Sequence, residues 1–155
     1  MNMSNLLEKN GEQKMIYYAT IDTNILVSAQ IKKDSIPDQI IQLALDGTIC
    51  PLLNDSIIEE YRRILLGNKF DFSTRDIEQL LNGLTSNGRF LKPTPTDEPF
   101  EDINDIIFYE ITLTGRSTGE AYLVTGNLKD FPKKYFVVSP KEMLDIINKD
   151  KETGK

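Results

Sequence analysis

The chain has 155 residues, 39% of them hydrophobic, and a formal net charge of −6. That suits one domain with a real core, and it is too apolar for a disordered chain. The acidic balance argues against a protein that coats DNA without specificity, because phosphates need cationic partners; a local basic strip stays compatible with it.

There is no histidine and a single cysteine, Cys50. A Ser-His-Asp triad, a histidine base and a histidine metal ligand are therefore excluded, as are an intrachain disulfide and a cysteine-rich zinc site. Cys50 lies in the apolar run "TICPLL" and reads as a packed core thiol. Any metal site must be built from oxygen ligands, which favours Mg²⁺, Mn²⁺ or Ca²⁺.

Residues 1–14 have no apolar core of signal-peptide length and are expected to form a flexible leader ahead of a domain at 15–149, with a polar tail at 150–155. No segment approaches membrane-spanning length, so a cytoplasmic protein is expected. Ile16–Ile21 reads as a short apolar strand that ends at Asp22, with a helix from about Asn24. A second helix runs from Pro37 to Leu45 and stops at Asp46-Gly47. Thr48–Leu53 is a strand, and "NDSIIEEYRRILL" is a capped helix with Ile57, Ile58, Tyr61, Ile64 and Leu65 at helical spacing. A helix from about Ser73 to Leu84 leads into a weak strand within "SNGRFLKP" and a proline-rich loop, "KPTPTDEP". The rest reads as a helix over Asp102–Thr114, strands at Ala121–Thr125 and Tyr135–Val138, and a terminal helix with Pro140 in its first turn.

Strands alternating with helices predict an α/β fold, a central parallel sheet of about five strands with helices on both faces. Ligands bind such sheets beyond the carboxyl ends of the strands, where the strand order reverses. Asp22 follows one strand and Thr125-Gly126-Asn127 follows another. If those strands are neighbours, both ends meet at one crevice. There a carboxylate at Asp22 either caps the helix or does chemistry.

Other acids compete for that crevice. At about 100° per residue, Glu60 borders the buried face of its helix while Glu59 points to solvent. Asp102 either caps the following helix or serves as a ligand. Asp105 shares a face with Phe108 and Tyr109, and an acid on an apolar face wants a partner, for which a metal is one candidate. The direction of Glu110 is left open by a nearly all-round apolar pattern. Carboxylates that converge repel one another unless a divalent cation neutralises them, and such a cluster suits metal-assisted hydrolysis of a phosphodiester.

The pieces "IDTNILVSA", "SIIEEYRRIL", "FEDINDIIFYEITL" and "YLVTGNLKDFP", in this order, resemble the PIN-domain family, and in particular toxin components of toxin–antitoxin systems. The resemblance implies a three-layer α/β/α sandwich and a Mg²⁺- or Mn²⁺-dependent endoribonuclease. It puts the family's first three acids on Asp22, Glu60 and Asp105, as catalytic residues and metal ligands. The hydroxyl residue after the fourth family strand falls on Thr125, and the fourth acid on Asn127, an amide, with Asp130 three residues later. Asp130 and Asp102 are thus further candidate acids. Thr23 and Asn24 would help to position the turn. Asn24, Thr125 and Lys129 are candidate substrate contacts, with Lys133 and Lys134 nearby to steady RNA phosphates. An antitoxin protein and a homodimer are the partners the resemblance implies.

The departure at Asn127 favours an alternative, a catalytically weak PIN-like module that binds RNA or protein. Phosphotransfer through an aspartyl nucleophile ranks below both, since "DTN" lacks a second acid two residues on. No P-loop signature is present.

Overall fold

A computed structural model describes residues 6–9 and 12–152. Its centre is a parallel sheet of five strands, in the order β5-β4-β3-β6-β7. These are β3 (Tyr17–Ile21), β4 (Ile49–Leu53), β5 (Arg89–Phe90), β6 (Ala121–Val124) and β7 (Val137–Val138). Every residue of β3 is buried, which explains why it is uncharged and mostly apolar or aromatic: a central parallel strand is covered on both faces. Among the described residues six helices flank the sheet and complete the α/β/α sandwich: α1 (Thr23–Ile31), α2 (Ile36–Leu45), α3 (Asp55–Leu65), α4 (Thr74–Asn87), α5 (Ile103–Arg116) and α6 (Pro140–Glu152).

Local chemistry explains where several helices begin. The side chains of Ser35, Asn54 and Ser73 accept bonds from the amides of Asp38, Ile57 and Asp76, satisfying donors that a first helical turn leaves free. Helix α5 lies close over the sheet at Gly115, where an added Cβ would stand 2.6 Å from Leu52 Cδ1 and 3.2 Å from the Ala121 Cβ. Next to this contact the Thr112 hydroxyl meets the Thr20 hydroxyl at 2.8 Å, so the buried polar pair is satisfied between α5 and β3.

Three details differ from what local pattern predicts. Leu6–Lys9 and Glu12–Met15 are strands, β1 and β2, paired as an antiparallel hairpin in which Leu6 faces Met15 and Lys9 faces Glu12. The leader expected over residues 1–14 named no strand, because its mixed polar sequence carries little periodicity; residues 1–5 and 10–11 of it, and 153–155 of the expected tail, lie outside the described residues, and α6 carries the chain on to Glu152. The last strand is shorter than Tyr135–Val138: the Val137 amide bonds back to the Lys134 carbonyl at 3.1 Å, closing a turn over Tyr135 and Phe136. Cys50 is half-buried rather than fully packed.

The chain adds β4 on one side of β3 and later β6 on the other, so the strand order reverses between β3 and β6. Their register sets Ile21 against Val124, and the Asp22 amide donates to the Val124 carbonyl at 2.9 Å. The two strand ends named in the sequence are therefore neighbours.

Candidate active site

Asp22 emerges from the C-terminal end of β3 and is almost fully buried, with 5% of its surface exposed. It stands at the N-cap of α1, yet its side chain makes no capping bond to that helix. Its Oδ2 instead accepts a 2.7 Å hydrogen bond from the buried Thr125 hydroxyl, just past the end of β6. The same hydroxyl accepts from the Asn127 amide at 3.0 Å. Thr125 is thus oriented by the turn that follows it, and it orients Asp22 in turn. From the other side the Tyr61 hydroxyl donates to the Ile21 carbonyl at 2.5 Å, which fixes the strand end immediately before Asp22. Burial pushes the Asp22 carboxyl above the usual range; the Thr125 hydroxyl and the Thr23 amide pull it back, and the charges of Asp130 and Glu60 add to the rise.

A cleft of about 410 Å³ opens above this point, and Asp22, Glu60, Asp102, Asp105, Asn127 and Asp130 all line it. Asp105, half-buried in the first turn of α5, has its pKa raised to about 7, first by burial and then by the charges of Asp22, Asp102, Asp130 and Glu60. The carboxylates that line this cleft are close enough to repel one another. Asp130 reaches the cleft because Leu128–Asp130 folds as a 3₁₀ turn, with the Asp130 amide bonded to the Asn127 carbonyl at 3.0 Å. Asn127 lies on the wall beside it.

Helical phase separates the two adjacent glutamates as expected. The Glu60 side chain is 18% exposed and lines the cleft, while Glu59 is 73% exposed and pairs with Arg62. Glu60 is also gripped by Arg63, whose Nη2 reaches both carboxylate oxygens at 2.8 and 2.9 Å. Arg63 lines the cleft too and escaped the sequence analysis, although its i,i+3 spacing from Glu60 on one helix was the available signal. A second residue of interest is Thr23, whose hydroxyl is buried at the cleft with no hydrogen-bond partner among the described residues.

Other candidates take different parts. Asp102 caps α5 by accepting from the Asn104 amide at 2.9 Å while remaining on the cleft wall. Asn24 is exposed and lines the cleft. Thr125 is fully buried and faces Asp22. Glu110 turns away and accepts from the Thr96 amide at 3.0 Å, so it anchors the proline-rich loop. Lys129 and Lys133 line a separate cleft, and Lys134 is paired with Glu98 at 3.1 Å.

The order of these elements, with a buried aspartate at the switch point and acids on α3 and α5, can be compared with known families. A family model for the PIN domain matches residues 18–129, spanning β3 through the start of the 3₁₀ turn. The chain belongs to the PIN-domain family. No curated protein sequence matches it. PIN domains are typically nucleases, and those nucleases generally use divalent metals.

The donor set of this PIN domain fits such an ion. All its candidate ligands are hard oxygen donors, several are carboxylates that repel one another across the cleft, and the Thr23 hydroxyl is left without a partner. In the present arrangement no group of three acids among the described residues is gathered tightly enough to hold an ion. Glu60 is meanwhile turned onto Arg63. Among the described residues no helix of this PIN domain is long and apolar enough to cross a membrane.

Proposed function

We propose that this PIN domain is a Mg²⁺- or Mn²⁺-dependent endoribonuclease, acting as the toxin of a toxin–antitoxin pair. The observation that carries the catalytic reading is the convergence of Asp22, Glu60, Asp105 and Asp130 on one cleft at the strand-order reversal. A divalent ion held there would offset the mutual repulsion, lower the pKa of a water molecule and steady charge on the phosphate. Asp22, Glu60 and Asp105 are the ligands, with Asp130 as the fourth charge and Asn127 offering a neutral amide oxygen. Thr125 keeps Asp22 aimed into the cleft. Without an ion the Asp105 carboxyl has its pKa raised to about 7 by burial and by the neighbouring acids, so taking up the ion would release its proton. Arg63, once released from Glu60, is free to contact an RNA phosphate. The toxin role, the antitoxin partner and self-association rest on the sequence resemblance.

The test is cleavage of labelled single-stranded RNA with Mg²⁺ or Mn²⁺, compared with EDTA and with Asp22→Asn. Cleavage that persists in EDTA or in Asp22→Asn overturns the mechanism. A second reading, an RNA- or protein-binding module with weak catalysis, is favoured by the amide at Asn127. RNA binding without cleavage under any of these metals would select it.

A further inference from the structure

A second cleft, of about 480 Å³, lies on the other side of the 3₁₀ turn from the acids. Asn127 and Asp130 face the acid cleft, whereas Leu128 and Lys129, in the same turn, line the second one. The two clefts are therefore separated by a single turn of chain. Lys129, Lys133, Lys134 and Tyr135 give the second cleft a mainly basic and aromatic lining in a chain that is acidic overall; the Glu142 carboxylate also lies on its wall, where it accepts from the Ser139 amide at 2.8 Å. Lys134 is engaged by Glu98, but Lys129 and Lys133 have no ion-pair partner among the described residues.

Tyr135 is unusual for a large aromatic residue. It is 72% exposed, yet several neighbours hold it. The Arg116 guanidinium bonds its hydroxyl and lies 4.9 Å from its ring centroid, and the Phe136 ring meets it edge-on at 5.7 Å. Glu120 accepts from the hydroxyl at 3.4 Å. A solvent-facing ring that is already immobilised loses little further freedom when something stacks on it. Aromatic faces beside unpaired lysines are how proteins hold single strands, with bases on rings and phosphates on cations.

We propose that this cleft is a subsite for an unpaired nucleotide of the RNA strand whose backbone enters the acid cleft. Its base stacks on Tyr135 and its flanking phosphates meet Lys129 and Lys133. The subsite rests on the ribonuclease reading for its substrate, and it deepens that reading by requiring a strand that is unpaired next to the point of attack. The acids repel a polyanion, so the lysines across the turn supply the attraction that brings the strand to them.

The test is fluorescence anisotropy with a short labelled single-stranded RNA in EDTA, where metal-dependent cleavage is blocked. Tyr135→Ala is expected to weaken binding about tenfold, and Tyr135→Phe, which keeps the ring, to stay near wild type. Lys129→Gln and Lys133→Gln should each reduce the logarithmic salt slope by about 0.7, the share of one single-strand phosphate contact. The same sequence as a duplex should bind more weakly. Wild-type affinity in Tyr135→Ala, equal losses in Ala and Phe variants, a duplex bound as tightly as the single strand, or no RNA binding by the wild type would each overturn the proposal. Thermal melting checks that Tyr135→Ala is folded; were it not, the two lysine variants decide the matter. Mn²⁺ binding and RNA cleavage by the wild type distinguish a missing subsite from a missing ribonuclease activity. Normal cleavage with no dependence of binding on Tyr135 removes the subsite alone. Tyr135-dependent binding without Mn²⁺ binding or cleavage removes the ribonuclease reading and keeps the subsite.

Discussion

The Arg63 guanidinium grips both oxygens of Glu60, at 2.8 and 2.9 Å, and so sets a cation on the wall of the acid cleft. Both residues belong to α3, three positions apart, and the Arg63 side chain is 59% exposed. Exposed pairs of this kind are held weakly, by about 0–1 kcal/mol, so a divalent ion can take Glu60 from Arg63. Arg63→Gln is expected to tighten Mn²⁺ binding in the absence of RNA, by a factor of about two to five. Calorimetry measures it. Glu60→Gln should weaken binding, and Glu59→Gln, altered on the solvent side, should leave it unchanged. Looser binding in Arg63→Gln would show that the arginine supports the ion and does not compete with it.

The Thr125 hydroxyl supports the Asp22 carboxylate with a 2.7 Å hydrogen bond. A hydrogen bond to a charged group contributes about 1.5–3 kcal/mol, and its loss falls on the ionised carboxylate. Thr125→Val should therefore raise the Asp22 pKa further and weaken Mn²⁺ binding about tenfold or more. Thr125→Ser, which restores the donor, should recover most of the affinity. Equal losses in the Val and Ser variants would mean that the methyl group's packing matters and the hydroxyl does not.

Stability without metal should depend on pH through Asp105. Its folded pKa, about 7, lies above the ordinary aspartate value of 3.8, so the folded state holds the extra proton between these values. The resulting stabilisation is fully present below the unfolded pKa and is lost as pH rises through about 7. Asp105→Asn removes this dependence. In EDTA the variant's melting temperature should gain on the wild type's as pH is raised from 5 to 8. Asp22 shifts in the same direction, which is why the difference between the two proteins is the quantity to follow. Mn²⁺ should stabilise the wild type more at pH 8 than at pH 5. A constant gap between the two melting curves would mean that Asp105 does not carry the raised pKa.

Asp130 and Asn127 divide the role of a fourth acid. Asp130 bears charge that acts on both Asp22 and Asp105, whereas Asn127 brings an oxygen without charge. Asp130→Asn is expected to weaken Mn²⁺ binding more than Asn127→Ala does, and Asn127→Asp to tighten it. Mn²⁺ titration of the three variants decides this. An affinity indifferent to Asp130 but lost in Asn127→Ala would return the fourth position to Asn127.

Periodicity and punctuation are local properties, and they carried most of the architecture. The apolar run at Tyr17–Ile21, the caps at Asn54 and Ser73 and the stop at Gly47, whose φ is +90°, all lie within a few residues of the structure they specify. The phase of α3 is equally local, which is why the sequence alone tells Glu59 from Glu60. The hairpin β1–β2 was not legible, because its short polar strands lack a repeating apolar face.

The site depended on distance in a different way. That Asp22 and Thr125 touch follows from β3 and β6 being neighbours, across 103 positions of sequence, and only the strand order decides that. That Asn127 and Asp130 both face the acids follows from a 3₁₀ turn too short to leave a periodic trace. The turning of Glu110 toward the proline-rich loop was likewise open until α5 was docked on the sheet. Residue types and helical phase determined which acids were available. Burial and mutual repulsion, which exist only after the strands and helices have packed, decided which of them share one field.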